Sequence, residues 1–229
     1  MNIKNQIPNL LTLSNLICGL LVIISAFNLN FINVLIFASL ALVFDFLDGT
    51  AARVLKTSST IGKELDSLAD MVSFGVAPAL VLFNYWQNEN LNHSFFIAAL
   101  LIAAFSAYRL AKFNSMEQSK EYFVGLPTPM FSIACFAIPM AAEQVLWLNT
   151  FLNNPLFIVL FVLIGSYLLI SNIKLLSIKI GSENKTLNTI RVSMFIVCII
   201  LIIWLKFFGL FLCLLVYLVF SLTGQRQFN

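Results

Sequence analysis

Charge is the scarcest property of this chain. Only 10% of its 229 residues are Asp, Glu, Lys or Arg, against about 25% in an ordinary soluble domain. Apolar residues make up 60%, and the mean hydropathy is +0.96. A water-soluble fold of this composition would have to expose large apolar patches, so the usual globular classes are excluded. Cysteines number four, and Cys18, Cys135, Cys198 and Cys213 all sit inside apolar runs without paired ligand spacing. That pattern excludes a disulfide framework and a cysteine metal site. The one histidine, His93, falls in a predicted external loop and reads as a solvated residue rather than a ligand. The N-terminus lacks the short apolar segment and small-residue cleavage site of a secretory signal, which predicts a retained first membrane helix. No repeat, low-complexity tract or long linker marks a second domain. No nucleic-acid partner is expected.

What is present is apolar sequence in lengths suited to a bilayer. The expected class is an all-α, polytopic transmembrane helix bundle of about eight spans, with six or seven as alternatives. The runs cover Ile7–Phe27, Phe31–Leu55, Leu65–Trp86, Phe95–Phe113, Thr128–Leu148 and Leu156–Ile178. The tail from Ile190 to Leu222 is long for one span. Lys206 and Gly209, flanked by Trp204 and Phe207, predict a tight hairpin between two short helices there. The chain therefore reads as one membrane domain, with a core over about 7–180 and an extra C-terminal hairpin over about 190–222. With both termini cytoplasmic, twelve of the thirteen Lys and Arg residues fall on the cytoplasmic side and only Lys206 on the other. The external loops Asn88–Ser94 and Ala141–Pro155 contain none. This asymmetry fits the positive-inside rule and places the chain in the cell membrane, as a multi-pass protein.

Against this background the aspartates stand out. The chain has only four, Asp45, Asp48, Asp66 and Asp70, all within 26 consecutive residues near the cytoplasmic ends of the second and third spans. A carboxylate within a membrane helix costs about 2.5–3.5 kcal/mol on insertion scales, so a cluster implies compensation. Asp45 and Asp48 are three apart and Asp66 and Asp70 four apart, which puts each pair on one helical face. If the faces meet, four carboxylates converge and repel unless neutralised. Two divalent cations would balance them, and oxygen-only ligands suit Mg²⁺ or Mn²⁺ rather than zinc. Two carboxylate-held metals also suit displacement at phosphorus. Gly49 and Ala52 keep the helix narrow where a phosphate or nucleotide would approach, and Arg53 can offer a fork of donors to a diphosphate. Taken singly, the small residues could be packing positions and Arg53 a positive-inside anchor.

The segment DFLDGTAARVLKTSSTIGKELDSLAD reads D-x2-D-G-x2-A-R-x8-G-x3-D-x3-D, with every fixed position filled through Gly62, Asp66 and Asp70. It resembles the signature of the class I CDP-alcohol phosphotransferases. The resemblance implies that Asp45, Asp48, Asp66 and Asp70 hold two metals, Mg²⁺ or Mn²⁺. It also implies that Asp70 accepts the proton of the acceptor alcohol, and that Gly49, Ala52, Arg53, Ser59 and Gly62 bind the CDP-diacylglycerol. The flanking segments IPNLLTLSNLICGLLVI, KELDSLADMVSFGVAPA, YRLAKFN and GLPTPM are similar to the multi-span phosphatidylserine synthases of that family. They imply CDP-diacylglycerol and L-serine as substrates, CMP as product, and a homodimer among membrane lipids. Asn9 and Thr12 match positions near the nucleotide. Arg109, Lys112, Asn114, Gly125 and Thr128 match the serine-synthase segments, with serine or phosphate contact as the implied role.

Plainer roles exist for this last group. Arg109 and Lys112 sit where basic side chains snorkel, and Gly125-Leu126-Pro127-Thr128-Pro129 could be a rigid turn opening the fifth span. Other readings of the chain as a whole are the same chemistry with glycerol 3-phosphate or an inositol phosphate, and a cation carrier with an acidic intramembrane site.

Overall fold

The computed structural model describes residues 3–57, 59–89, 96–115, 122–177 and 185–225. His93, Lys120, Lys179 and Arg226 lie outside the described residues, as do parts of the predicted polar loops around them. Helix α1 (Ile3–Phe27) and helix α2 (Phe31–Val54) are joined by a tight turn in which Leu29 has a φ of 53°. Asn30 opens α2 by accepting a hydrogen bond from the Asn33 amide at 3.1 Å. Helix α3 (Thr60–Asp70) runs without a break into a π-helical turn (Met71–Val76) and then α4 (Ala77–Asn88). A 3₁₀ turn (Phe96–Ala99) leads into α5 (Leu100–Ser115). Strand β1 (Tyr122–Val124), α6 (Thr128–Gln144), the short α7 (Leu146–Leu152), α8 (Pro155–Ile170), strand β2 (Lys174–Leu176) and α9 (Lys185–Gly224) complete the order.

Among the described residues, five helical segments are long and apolar enough to cross a bilayer: Gln6–Phe27, Phe31–Val54, Thr60–Asn88, Phe96–Ser115 and Lys185–Gly224. The α7–α8 pair, bent by 62°, is a sixth if it counts as one broken span. The expected figure of eight is higher for two physical reasons. Helix α6, at 17 residues, is short for a span but is buried along most of its length. The α9 segment is two helices that meet at Lys206, where the chain reverses direction. At Lys206 the backbone has φ 51° and ψ −122°, and the Cys213 thiol comes within 4.0 Å of the Cys198 carbonyl. The predicted hairpin is therefore present. Gly209 sits inside it, where an added Cβ would overlap the Leu201 carbonyl. Gln144 closes the tip from α6, accepting from the Phe208 amide at 2.9 Å.

Two expected boundaries move. The sixth run ends at Ile170 rather than Ile178, because β2 pairs antiparallel with β1, Val124 opposite Lys174 and Tyr122 opposite Leu176. The fifth ends at Gln144, and α7 occupies part of what read as a loop. The bundle is thus helical with one two-stranded ribbon.

The main core is an apolar cluster with members from α1 to α9, including Val22, Leu82, Trp86, Phe136, Val162 and Tyr217, and Cys18, Ala41 and Phe74 form a smaller one. Large apolar side chains also face outward on nearly every helix, among them Ile17, Ile36, Leu163 and Ile203. That inside-and-out apolarity is the pattern of a helix bundle solvated by lipid.

Candidate active site

All four aspartates lie at the end of the bundle where α2 stops and α3 begins, and the loop between these helices is only five residues, Leu55–Ser59. Helix α1 packs along both. Asp45, Asp48 and Asp66 each place a carboxylate oxygen within 4.8 Å of those of the other two. Asp70 does not share that triad. It touches Asp45 on one side and accepts a 3.2 Å hydrogen bond from the Asn15 amide on the other. Asp48 is buried, and the Thr12 hydroxyl donates to its Oδ2 at 2.6 Å. Three carboxylate oxygens converging in this way form a donor set that fits a hard divalent cation. On insertion scales, four such groups would cost on the order of 10 kcal/mol if left uncompensated at the bilayer centre.

Beside the acids lies a cavity of about 270 Å³, lined by Pro8, Asn9, Thr12, Asp48, Gly49, Ala52, Thr57, Ser59, Gly62, Lys63 and Asp66. Six of the seven residues expected at the nucleotide are in this wall. Gly49 has open space where a Cβ would point. Ser59 caps α3 by accepting from the Gly62 amide at 2.9 Å, so the positive end of α3 opens onto the cavity with Lys63 beside it. The seventh, Arg53, is exposed and folded along its own helix. It donates to the Gly49 carbonyl at 3.0 Å and to the Thr50 hydroxyl at 3.2 Å, outside the cavity wall.

The residues expected to meet the acceptor divide into two sets. Arg109 is buried, donates to Thr128 at 3.3 Å, packs its guanidinium 4.7 Å from the Phe113 ring centre, and lies within electrostatic range of Asp70. Its Nε is buried without a partner. Asn114 donates to Ser67, on α3 between the two acids, at 2.8 Å. Lys112 and Gly125 turn elsewhere. Lys112 donates to the Ile170 carbonyl and to Asn172 at 3.0 and 2.7 Å. Gly125, at φ 78°, sits where a Cβ would come 2.6 Å from the Leu169 carbonyl. Both hold the end of α8 in place.

Sequence reasoning passed over Asn15, Thr57 and Lys63. Lys63 lies inside the aspartate motif and could have been found from its place one turn before Asp66. Thr57 has a buried hydroxyl without a partner.

Residues 5–154 match the family model for CDP-alcohol phosphatidyltransferases. The chain belongs to that family. A CDP-alcohol phosphatidyltransferase is an enzyme of phospholipid synthesis, and the family depends on divalent metals, which the aspartate triad suits. Curated relatives named CDP-diacylglycerol–serine O-phosphatidyltransferase are similar to it over most of their length. The Bacillus subtilis protein is 37% identical over 171 residues, 74% of this chain and 89% of the relative. The Methanocaldococcus jannaschii protein is 35% identical over 211 residues, 91% of this chain and 89% of the relative. The Helicobacter pylori protein is 34% identical over 171 residues, covering 73% and 70%.

Proposed function

We propose that this CDP-alcohol phosphatidyltransferase moves the phosphatidyl group of CDP-diacylglycerol to L-serine, giving phosphatidylserine and CMP. The observation that carries the reading is the acidic cluster opening onto a cavity whose other wall is the N-terminus of α3 with Lys63. A diphosphate needs both: an anion-binding helix end on one side and a cation site on the other. Asp45, Asp48, Asp66 and Asp70 would hold two divalent cations, Mg²⁺ or Mn²⁺, which would neutralise charge across the attacking and leaving oxygens.

The cytidine and ribose take the space between Asn9, Thr12, Ala52 and Ser59. The serine hydroxyl attacks the phosphorus that carries the diacylglycerol oxygen, a new P–O bond forms, and the bond from that phosphorus to the CMP oxygen breaks. Asp70 takes the hydroxyl proton, and Arg109 receives the serine carboxylate. The choice of serine is supported by the names of relatives that align over most of the chain. The reading includes eight spans, with both termini and the site at the cytoplasmic face of the cell membrane; the basic-residue asymmetry and the reversal in α9 support it. The whole chain then acts as one membrane domain.

Purified protein given CDP-diacylglycerol, Mg²⁺ or Mn²⁺ and single alcohols tests this by CMP release. Release with serine is expected. Release with glycerol 3-phosphate but not serine would keep the chemistry and discard the acceptor, and no release with any alcohol would end the enzyme reading.

A further inference from the structure

Helix α1 carries no acid, yet it touches one member of each aspartate pair. Thr12 and Asn15 are three apart on the same helical face and only 3% and 0% exposed. Thr12 donates to Asp48 of α2 at 2.6 Å, and Asn15 donates to Asp70 of α3 at 3.2 Å. Two further observations set Asn15 apart. Its side-chain oxygen is buried with no donor, a cost that the bond to Asp70 must offset. Turning the amide over would press that oxygen against the Asp70 carboxylate, so the aspartate dictates the amide's orientation. The backbone of Asn15 is pinned as well. Its carbonyl accepts from the Ser73 hydroxyl at 3.0 Å, in the π-helical turn immediately after Asp70. One turn along α1, Gly19 makes the approach possible, because an added Cβ would overlap the Ser73 hydroxyl and come 2.8 Å from its Cα.

We propose that Asn15 is a positioning residue that fixes the orientation of the Asp70 carboxylate, while Thr12 does the same for Asp48. Helix α1 then sets the spacing between the two acidic helices. The inference rests on the two-cation reading. One oxygen of Asp70 is held by the amide, which would leave the other to serve as a cation ligand. Residues that orient metal ligands in this way change metal affinity or activity by roughly 10–100-fold when lost.

The test is Asn15→Leu in the full-length protein in detergent, which removes the donor and the stranded acceptor together. Mn²⁺ binding followed by electron paramagnetic resonance should weaken by roughly 10–100-fold. The kcat with serine should fall in parallel, KM for CDP-diacylglycerol should hold, and the melting temperature should match or exceed that of the unmodified protein. Unchanged Mn²⁺ affinity in Asn15→Leu overturns the inference, as does a loss of affinity that only tracks a lower melting temperature. If Asn15→Leu does not fold, Asn15→Ala is measured in the same way and judged by the same outcomes. If the unmodified protein binds no Mn²⁺, the two-cation reading fails. If it binds, Asp66→Asn does not, and Asn15→Leu binds normally, then only the role of Asn15 fails.

Discussion

Asp70 has different neighbours from the other three acids, and its expected behaviour differs accordingly. It stands beside the triad rather than in it, against Asp45, with Asn15 on its far side and Arg109 in electrostatic range. Asp70→Asn keeps the shape and should leave the melting temperature within a few degrees. Turnover should fall by a factor of about 10²–10⁴, the usual contribution of a positioned general base. A mutant that releases CMP at the unmodified rate would remove Asp70 from the proton transfer. Most of the site was legible at this scale because spacing on a helix determines which side chains share a face. Asp45, Asp48 and Asp66 could be brought together on paper, and so could the cavity wall of Gly49, Ala52 and Gly62. Side-chain direction was not legible in the same way. Arg53 has the right position and turns along its own helix, while Asn15 looked like one more polar residue in an apolar run until Asp70 was seen against it.

At the scale of elements, the C-terminal hairpin was readable and the ribbon was not. A lysine and a glycine between aromatic residues in a run too long for one span have few structural solutions. Strands of three residues have no periodicity to detect, and those in the ribbon lie at what looked like the frayed ends of apolar runs. The hairpin turn also carries a strained residue. Lys206 occupies φ 51°, ψ −122°, the geometry of the first central position of a type II′ turn, where glycine dominates. Such a conformation costs a non-glycine residue about 1–3 kcal/mol. Lys206→Gly should therefore raise the melting temperature in detergent by a few degrees with CMP release unaltered. A lower melting temperature would show that the lysine side chain contributes more than the strain removes. The ribbon and the hairpin are also tied together. Tyr217 donates to the Leu176 carbonyl at 3.0 Å, and the Leu176 amide donates to Ser221 at 3.1 Å.

For the molecule as a whole, the proposed topology puts the site and twelve of the thirteen basic residues on the cytoplasmic side and Lys206 on the other. Single cysteines report that orientation directly, provided the four native cysteines are first replaced. Thr150→Cys on α7 should react with a membrane-impermeant maleimide on intact cells, and Thr189→Cys near the start of α9 only after permeabilisation. Labelling in the reverse order would invert the topology. The number of spans was hard to read, because hydropathy does not register a bend such as that between α7 and α8. The short loop between α2 and α3 has a further consequence, and it concerns the order of events during synthesis. Every candidate cation ligand, both donors on α1 and the whole cavity wall lie no later than Asp70, so they leave the ribosome in the first third of the chain. The acids can meet while α5 to α9 are still unmade, and an early supply of divalent cation would relieve their repulsion as they enter the bilayer. Later helices add Arg109 and Thr128. The part of the enzyme most costly to insert is therefore the part that assembles first.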